Sequence, residues 1–128
     1  MRVLLDTHTF LWWVANDPVL SDAARSAIAN ERNECFISVA SCWEMAIKAS
    51  IGKLRLSKPV ERFVPEEMAN NNFQLLPIEF KHVAKVEILP FHHRDPFDRL
   101  LASQALAEKM PFISADAMFS DYGIKRIW

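Results

Sequence analysis

Apolar residues along this chain fall into short bounded runs separated by longer stretches with helical spacing. Val3-Leu4-Leu5, Cys35-Phe36-Ile37, Phe73-Gln74-Leu75-Leu76 and Phe112-Ile113 are brief and nearly continuous, the pattern of strands buried on both faces. Between them the spacing predicts helices over 8–15, 21–30 with Ser21 as cap, 39–50 after Ser38, 59–71, 79–86 and 96–109, and a short last strand over 124–128. Gly52 is the expected stop of the third helix, and 89–94 the one long loop. Alternating strand and helix implies an α/β fold, with a mostly parallel central sheet flanked by helices. In such sheets, sites form at the carboxyl ends of strands.

The 128 residues, 51% hydrophobic and with fourteen aromatics, suffice for a single domain, 1–128, with a real core. There is no run of about 18 apolar residues and no signal-peptide pattern, so no membrane association and a cytoplasmic location are expected. Cys35 and Cys42 lack companions at zinc-ligand spacing and read as buried thiols. A net charge of -1 argues against a broadly basic nucleic-acid binder. Lys48, Lys53, Arg55, Lys58 and Arg62, opposed only by Glu61, allow a local basic face, although a solvated helix end and loop is the ordinary reading. With only Gly52 and Gly123, neither a P-loop nor a dinucleotide fingerprint can be built.

Four acids occupy settings that need a reason. Asp6 and Asp116 each close an apolar run, where either a helix cap or a functional carboxylate fits. Glu44 matches a capping box with Ser41 and an ion pair with Lys48. The spacing of Val39, Trp43, Ala46, Ile47 and Ser50 instead places it inside the helix, at the margin of an apolar stripe. Asp95 before Pro96 reads as an N-cap, which leaves Asp98 facing the apolar side with Leu101, Ala102 and Ala105. Carboxylates clustered away from water repel one another and must be protonated, paired or bound to a cation. Four at converging positions suggest a divalent-cation site, and an all-oxygen donor set suits Mg²⁺ or Mn²⁺. The histidines do not suggest zinc: His82 reads as helix surface, His92 and His93 as loop, and His8 as facing the start of its helix. Trp12, Trp13 and Trp43 read as core or subunit-contact residues.

Leu5-Asp6-Thr7-His8, the block from Ser38 to Glu44 with Lys48 and Gly52-Lys53-Leu54, the block from His93 to Ala102, and Ile113-Ser114-Ala115-Asp116 together resemble PIN-domain ribonucleases, most closely VapC-type toxins of toxin-antitoxin pairs. The resemblance implies a PIN-like fold, Asp6, Glu44, Asp98 and Asp116 as catalytic, metal-binding acids, and Ser114 as their polar neighbour. It implies Mg²⁺- or Mn²⁺-dependent hydrolysis of RNA, leaving 5′-phosphate and 3′-hydroxyl ends, with Lys48, Lys53 and Arg55 as candidate contacts to the RNA backbone. It further implies a homodimer and a small cognate antitoxin, for whose surface Phe10, Trp12, Trp13 and Phe63 are candidates. Two alternatives stand. A non-catalytic RNA-binding or scaffold module would use the acids as caps. An aspartate-based phosphohydrolase would want a second Asp two residues after Asp6, where His8 stands.

Overall fold

The computed structural model describes all 128 residues, Met1–Trp128. Five strands, β1 (Arg2–Leu5), β2 (Glu34–Ser38), β3 (Gln74–Leu76), β4 (Phe112–Ile113) and β5 (Arg126–Ile127), form one sheet in the order β3-β2-β1-β4-β5. Every pairing is parallel. The helices are α1 (Thr7–Val14), α2 (Asp22–Ala29), α3 (Val39–Ser50), α4 (Val60–Asn71), α5 (Phe80–Val86) and α6 (Pro96–Glu108). A 3-10 helix, Ala117–Tyr122, was not foreseen in the sequence, and α4 begins one residue later than expected, after a connection over 51–59. Gly52 does end α3's run, at a φ of 74° that few other residues adopt readily.

Alternation along each strand sends side chains to opposite faces of the sheet, and both are covered. Val3, Leu5, Cys35, Ile37 and Ile113 share one cluster with Phe10, Leu20, Ala24, Ile28, Met45, Phe63 and Val64. Leu4, Phe36 and Phe112 share the other with Leu76, Leu89, Leu101, Ala102, Ala105 and Phe119. Each fully buried Leu or Phe contributes roughly 1.5–3 kcal/mol. Ala102 and Ala105 let α6 approach the sheet closely, and Gln104 on the same helix bonds Ser38 Oγ at 2.5 Å.

Three readings of the sequence are corrected. The stripe Trp43, Ala46 and Ile47 faces outward, with Trp43 56% exposed, while α3 buries Ala40, Ser41, Glu44 and Met45. The small Ala40 and Ser41 let α3 lie against its neighbours, and Thr7 Oγ1 donates to Ser41 Oγ at 2.8 Å. His82 is fully buried rather than on a helix surface, because its Nδ1 accepts the Glu79 N–H at 3.0 Å and so caps α5. Phe10 and Phe63 are core residues and meet edge to face; Phe10 is fully buried and so unavailable to a partner, Phe63 is 7% exposed, and Trp12 and Trp13 remain partly exposed. No helix is long and apolar enough to cross a membrane.

Candidate functional site

Connections from β1 run to β2 on one side, while β4 lies on the other, so strand order reverses between β1 and β4. A crevice is expected outside the carboxyl ends at such a switch point. Asp6 directly follows β1, and its N–H donates to Ile113 O of β4 at 3.0 Å. Its Oδ1 caps α1 by accepting the Thr7 N–H at 2.8 Å, and Oδ2 accepts the Ser114 hydroxyl at 2.7 Å. Asp116 follows β4. Its Oδ1 accepts the Met118 N–H at 2.9 Å, capping the 3-10 helix, and Oδ2 lies 2.7 Å from His93 Nε2.

Glu44 reaches the same place from α3. It is buried and paired at 2.8 Å with Lys48, one turn on. Asp98 comes from the first turn of α6, beneath Asp95, whose Oδ1 accepts the N–H groups of Phe97 and Asp98 at 2.8 and 3.1 Å. Asp6, Glu44, Asp95, Asp98 and Asp116 thus line one cleft of about 260 Å³ with His8 and Lys48, and none of its lining side chains is hydrophobic. The cap readings of Asp6, Asp95 and Asp116 and their place in a common cleft hold together, because each cap bond uses one oxygen and leaves the other lone pairs available.

The cleft's electrostatics follow from crowding. Burial pushes the Asp6 carboxyl above its ordinary value and Glu44 adds to this, outweighing the bonds from Ser114 and Thr7 and the nearby His8. Asp98 is pushed up to about 7, first by burial, then by the charges of Asp95 and Asp6. Asp116 is held low: burial raises it, but the bonds from His93 and Met118 N–H and the charge of Arg126 prevail. Lys48 is held above the usual ammonium range, chiefly by its bond to Glu44. The carboxylates outnumber the cations around them, and the donors are all oxygen, so the residues fit a hard divalent cation such as Mg²⁺ or Mn²⁺.

A second group, Glu79, His82 and Glu108, has donor atoms within 4.8 Å of one another and by spacing could coordinate a metal. Its atoms are already engaged. His82 Nδ1 takes the Glu79 N–H, His82 Nε2 lies 2.9 Å from Glu108 Oε2, and Lys81 Nζ lies 2.9 Å from the same oxygen. The bonds from Lys81 and His82 hold the Glu108 carboxyl below its ordinary value. This network ties α5 to α6.

The structure therefore brings together Asp6, Glu44, Asp98, Asp116 and Lys48, with Ser114 behind Asp6. Lys53 and Arg55 do not line the cleft. Arg55 borders an adjacent groove of about 370 Å³ with Leu11, Trp12, Leu54, Leu56 and Phe63, and His8 borders both. The sequence reading missed His93 and the cleft position of Asp95. Their only signal was membership of the same block as Asp98, since a loop histidine has no periodicity to betray its direction.

The model of the PIN domain family matches residues 3–125. Over 60 residues the chain is 33% identical to Ribonuclease VapC16 of Mycobacterium tuberculosis (strain ATCC 25618 / H37Rv), a match covering 47% of this chain and 43% of that protein. The chain thus spans less than half the length of that relative. Its fold is similar to that of VapBC2 from Rickettsia felis bound to a promoter DNA fragment, with a TM-score of 0.71, 15% identity and 100% of both chains covered. It is equally similar to DNA-bound VapBC from Salmonella typhimurium, with a TM-score of 0.71, 16% identity and 98% and 96% covered. The family match runs from β1 past the last acid of the cleft, and the chain belongs to the PIN domain family.

Proposed function

We propose that the chain is a divalent-cation-dependent endoribonuclease acting through Asp6, Glu44, Asp98 and Asp116, and the toxin of a toxin-antitoxin pair. The observation that carries this reading is the convergence of those acids from β1, α3, α6 and the end of β4 on one cleft at the sheet's switch point. The likeness to Ribonuclease VapC16 supports RNA as the substrate. Bound among the carboxylates, Mg²⁺ or Mn²⁺ lowers the pKa of water and offsets charge building on the phosphate.

The chain's own residues supply orientation. Ser114 and Thr7 fix the Asp6 carboxylate from two directions, His93 and Met118 N–H fix Asp116, and the Asp95 cap holds the first turn of α6 that carries Asp98. Glu44, steadied by Lys48, serves as ligand or as base toward the attacking water. Water oxygen bonds to phosphorus as the bond to the 3′ oxygen breaks. That oxygen takes the proton, leaving 3′-hydroxyl and 5′-phosphate ends. The half-exposed ammonium of Lys48 at the cleft supports a contact to the RNA backbone, with Lys53 and Arg55 farther along the chain as further contacts.

The fold's likeness to VapBC assemblies supports a small antitoxin as partner, and the groove beside His8 and Trp12 supports a place for it next to the acids. A homodimer belongs to the same reading, with Trp43, Phe80, Ile88 and Phe91 as exposed apolar candidates for its contact. The capping bonds of Asp6, Asp95 and Asp116 favour a second reading, a non-catalytic module in which these acids serve structure alone. One experiment separates the two. Purified chain should cleave RNA only with Mg²⁺ or Mn²⁺, and Asp6→Asn or Asp98→Asn should abolish cleavage while leaving thermal unfolding cooperative. Undiminished cleavage by either variant would sink the site assignment.

A further inference from the structure

His93 lies in the loop that precedes α6, yet it is only 8% exposed and both ring nitrogens are engaged. Nε2 lies 2.7 Å from Asp116 Oδ2, and Nδ1 lies 2.8 Å from Tyr122 Oη. The His93 and Tyr122 rings lie nearly parallel, 10° apart with centroids at 5.6 Å, and Phe119 lies against the imidazole at 4.5 Å. With the Tyr122 hydroxyl donating to Nδ1, the neutral ring carries its proton on Nε2 and donates it to Asp116.

The loop itself is anchored from α6. Arg99, buried next to Asp98 in sequence, donates Nη1 to Pro90 O at 2.9 Å and Nη2 to Val86 O and Leu89 O at 2.9 and 3.3 Å. Its guanidinium also lies 4.0 Å from the centre of the Phe91 ring. The Asp116 side chain is 39% exposed, and without His93 only the Met118 N–H bond to Oδ1 would hold it at the cleft's edge.

We propose that His93 is a positioning residue of the acid cleft: its Nε2–H aims the Asp116 carboxylate, Tyr122 sets its tautomer, and Arg99 holds the loop that seats it. This rests on reading the cleft as a cation site. Partners that orient a ligating carboxylate typically change metal affinity 10- to 100-fold when removed, because the ligand must then be ordered at the moment of binding.

The test is calorimetric titration of the full chain with Mn²⁺, beside thermal unfolding and RNA cleavage. His93→Ala should weaken Mn²⁺ binding about tenfold or more. His93→Gln, whose amide N–H can reach the position of Nε2, should restore most of it, and Tyr122→Phe should weaken it by about threefold, a smaller part of the same effect. Equal losses in the Ala and Gln variants would assign the effect to packing and overturn the proposal, as would unchanged affinity in His93→Ala while Asp116→Asn loses it. Wild-type chain that binds no Mn²⁺, or Asp116→Asn that binds it normally, would instead remove the cation-site reading and the role of His93 with it.

Discussion

Ser114 Oγ donates to Asp6 Oδ2 at 2.7 Å, joining the ends of β4 and β1 across 108 positions of sequence. The same hydroxyl oxygen accepts the Asp116 N–H at 3.1 Å. One buried serine thereby sets the distance between two acids of the cleft.

Ser114→Ala should consequently cost stability and disturb the site together. Two bonds are lost at a buried position, worth about 1–3 kcal/mol by urea unfolding. The Asp6 carboxyl, already raised by burial, rises further without the bond that lowers it. Mn²⁺ affinity should fall about tenfold, and the rise of RNA cleavage with pH should move to higher pH. Ser114→Thr should behave like the parent, since it keeps the hydroxyl.

Asp98 gives the cation-free protein a pH dependence of definite sign. Burial and the charges of Asp95 and Asp6 raise its carboxyl from 3.8 to about 7, so the folded state binds a proton more tightly than the unfolded chain. That contribution is fully present below pH 3.8, and it is lost as pH rises through about 7. For this half-buried group, screened by solvent, the loss is about 1–2 kcal/mol. In EDTA, Asp98→Asn should overtake wild type in thermal stability between pH 5 and 8, and Mn²⁺ should stabilise wild type more than the variant. Parallel stability curves across that range would refute the idea.

Lys48 is the cation that offsets Glu44 within the cleft, and Asp95 and Asp98 also contribute to its raised pKa. Lys48→Met should leave the carboxylates less compensated, lowering the melting temperature by about 3–5 °C in EDTA. Because the lysine no longer competes for Glu44, stabilisation by Mn²⁺ should be larger in the variant than in wild type. Differential scanning fluorimetry with and without Mn²⁺ measures both quantities.

Arg99 satisfies the carbonyls of Val86, Leu89 and Pro90. Arg99→Met should cost roughly 2–4 kcal/mol in chemical denaturation, since these acceptors lose charged donors in a buried setting. Arg99→Lys should recover little, because one ammonium cannot span carbonyls that the planar guanidinium reaches from two nitrogens. Amide exchange over 86–94 should accelerate in both variants.

Much of the architecture was legible in short apolar runs. Val3-Leu4-Leu5 and Cys35-Phe36-Ile37 became β1 and β2, and the helical spacings gave all six helices with shifts of only a residue or two at most ends. Ser21, Ser38 and Asp95 announced helix starts and do cap them, since their side-chain oxygens accept the first free N–H groups. The site was legible in part, because strand-end position alone places Asp6 and Asp116 at one edge of a parallel sheet.

What local pattern misjudged was direction. Trp43 and Ile47 have helical spacing but face outward, while the quieter Ala40, Ser41, Glu44 and Met45 form the buried side of α3. A hydrophobic stripe states that a face will be covered, without saying by what. His82 and His93 illustrate the same gap. One became a buried cap between α5 and α6, the other a bridge from a loop to Asp116, and each role depends on partners more than twenty positions away.

The sequence by itself determined the alternation of strands and helices, the caps, and which acids stand at strand and helix ends, because these follow from interactions within a few residues. Only the tertiary structure decided that Asp6, Glu44, Asp95, Asp98 and Asp116 share one cleft, that burial and mutual repulsion raise Asp98 to about 7, and that His93 and Ser114 fix the acids' orientation. Charge repulsion, desolvation and long-range hydrogen bonds depend on distances between chain segments, and those distances are set by the packing of helices on the sheet.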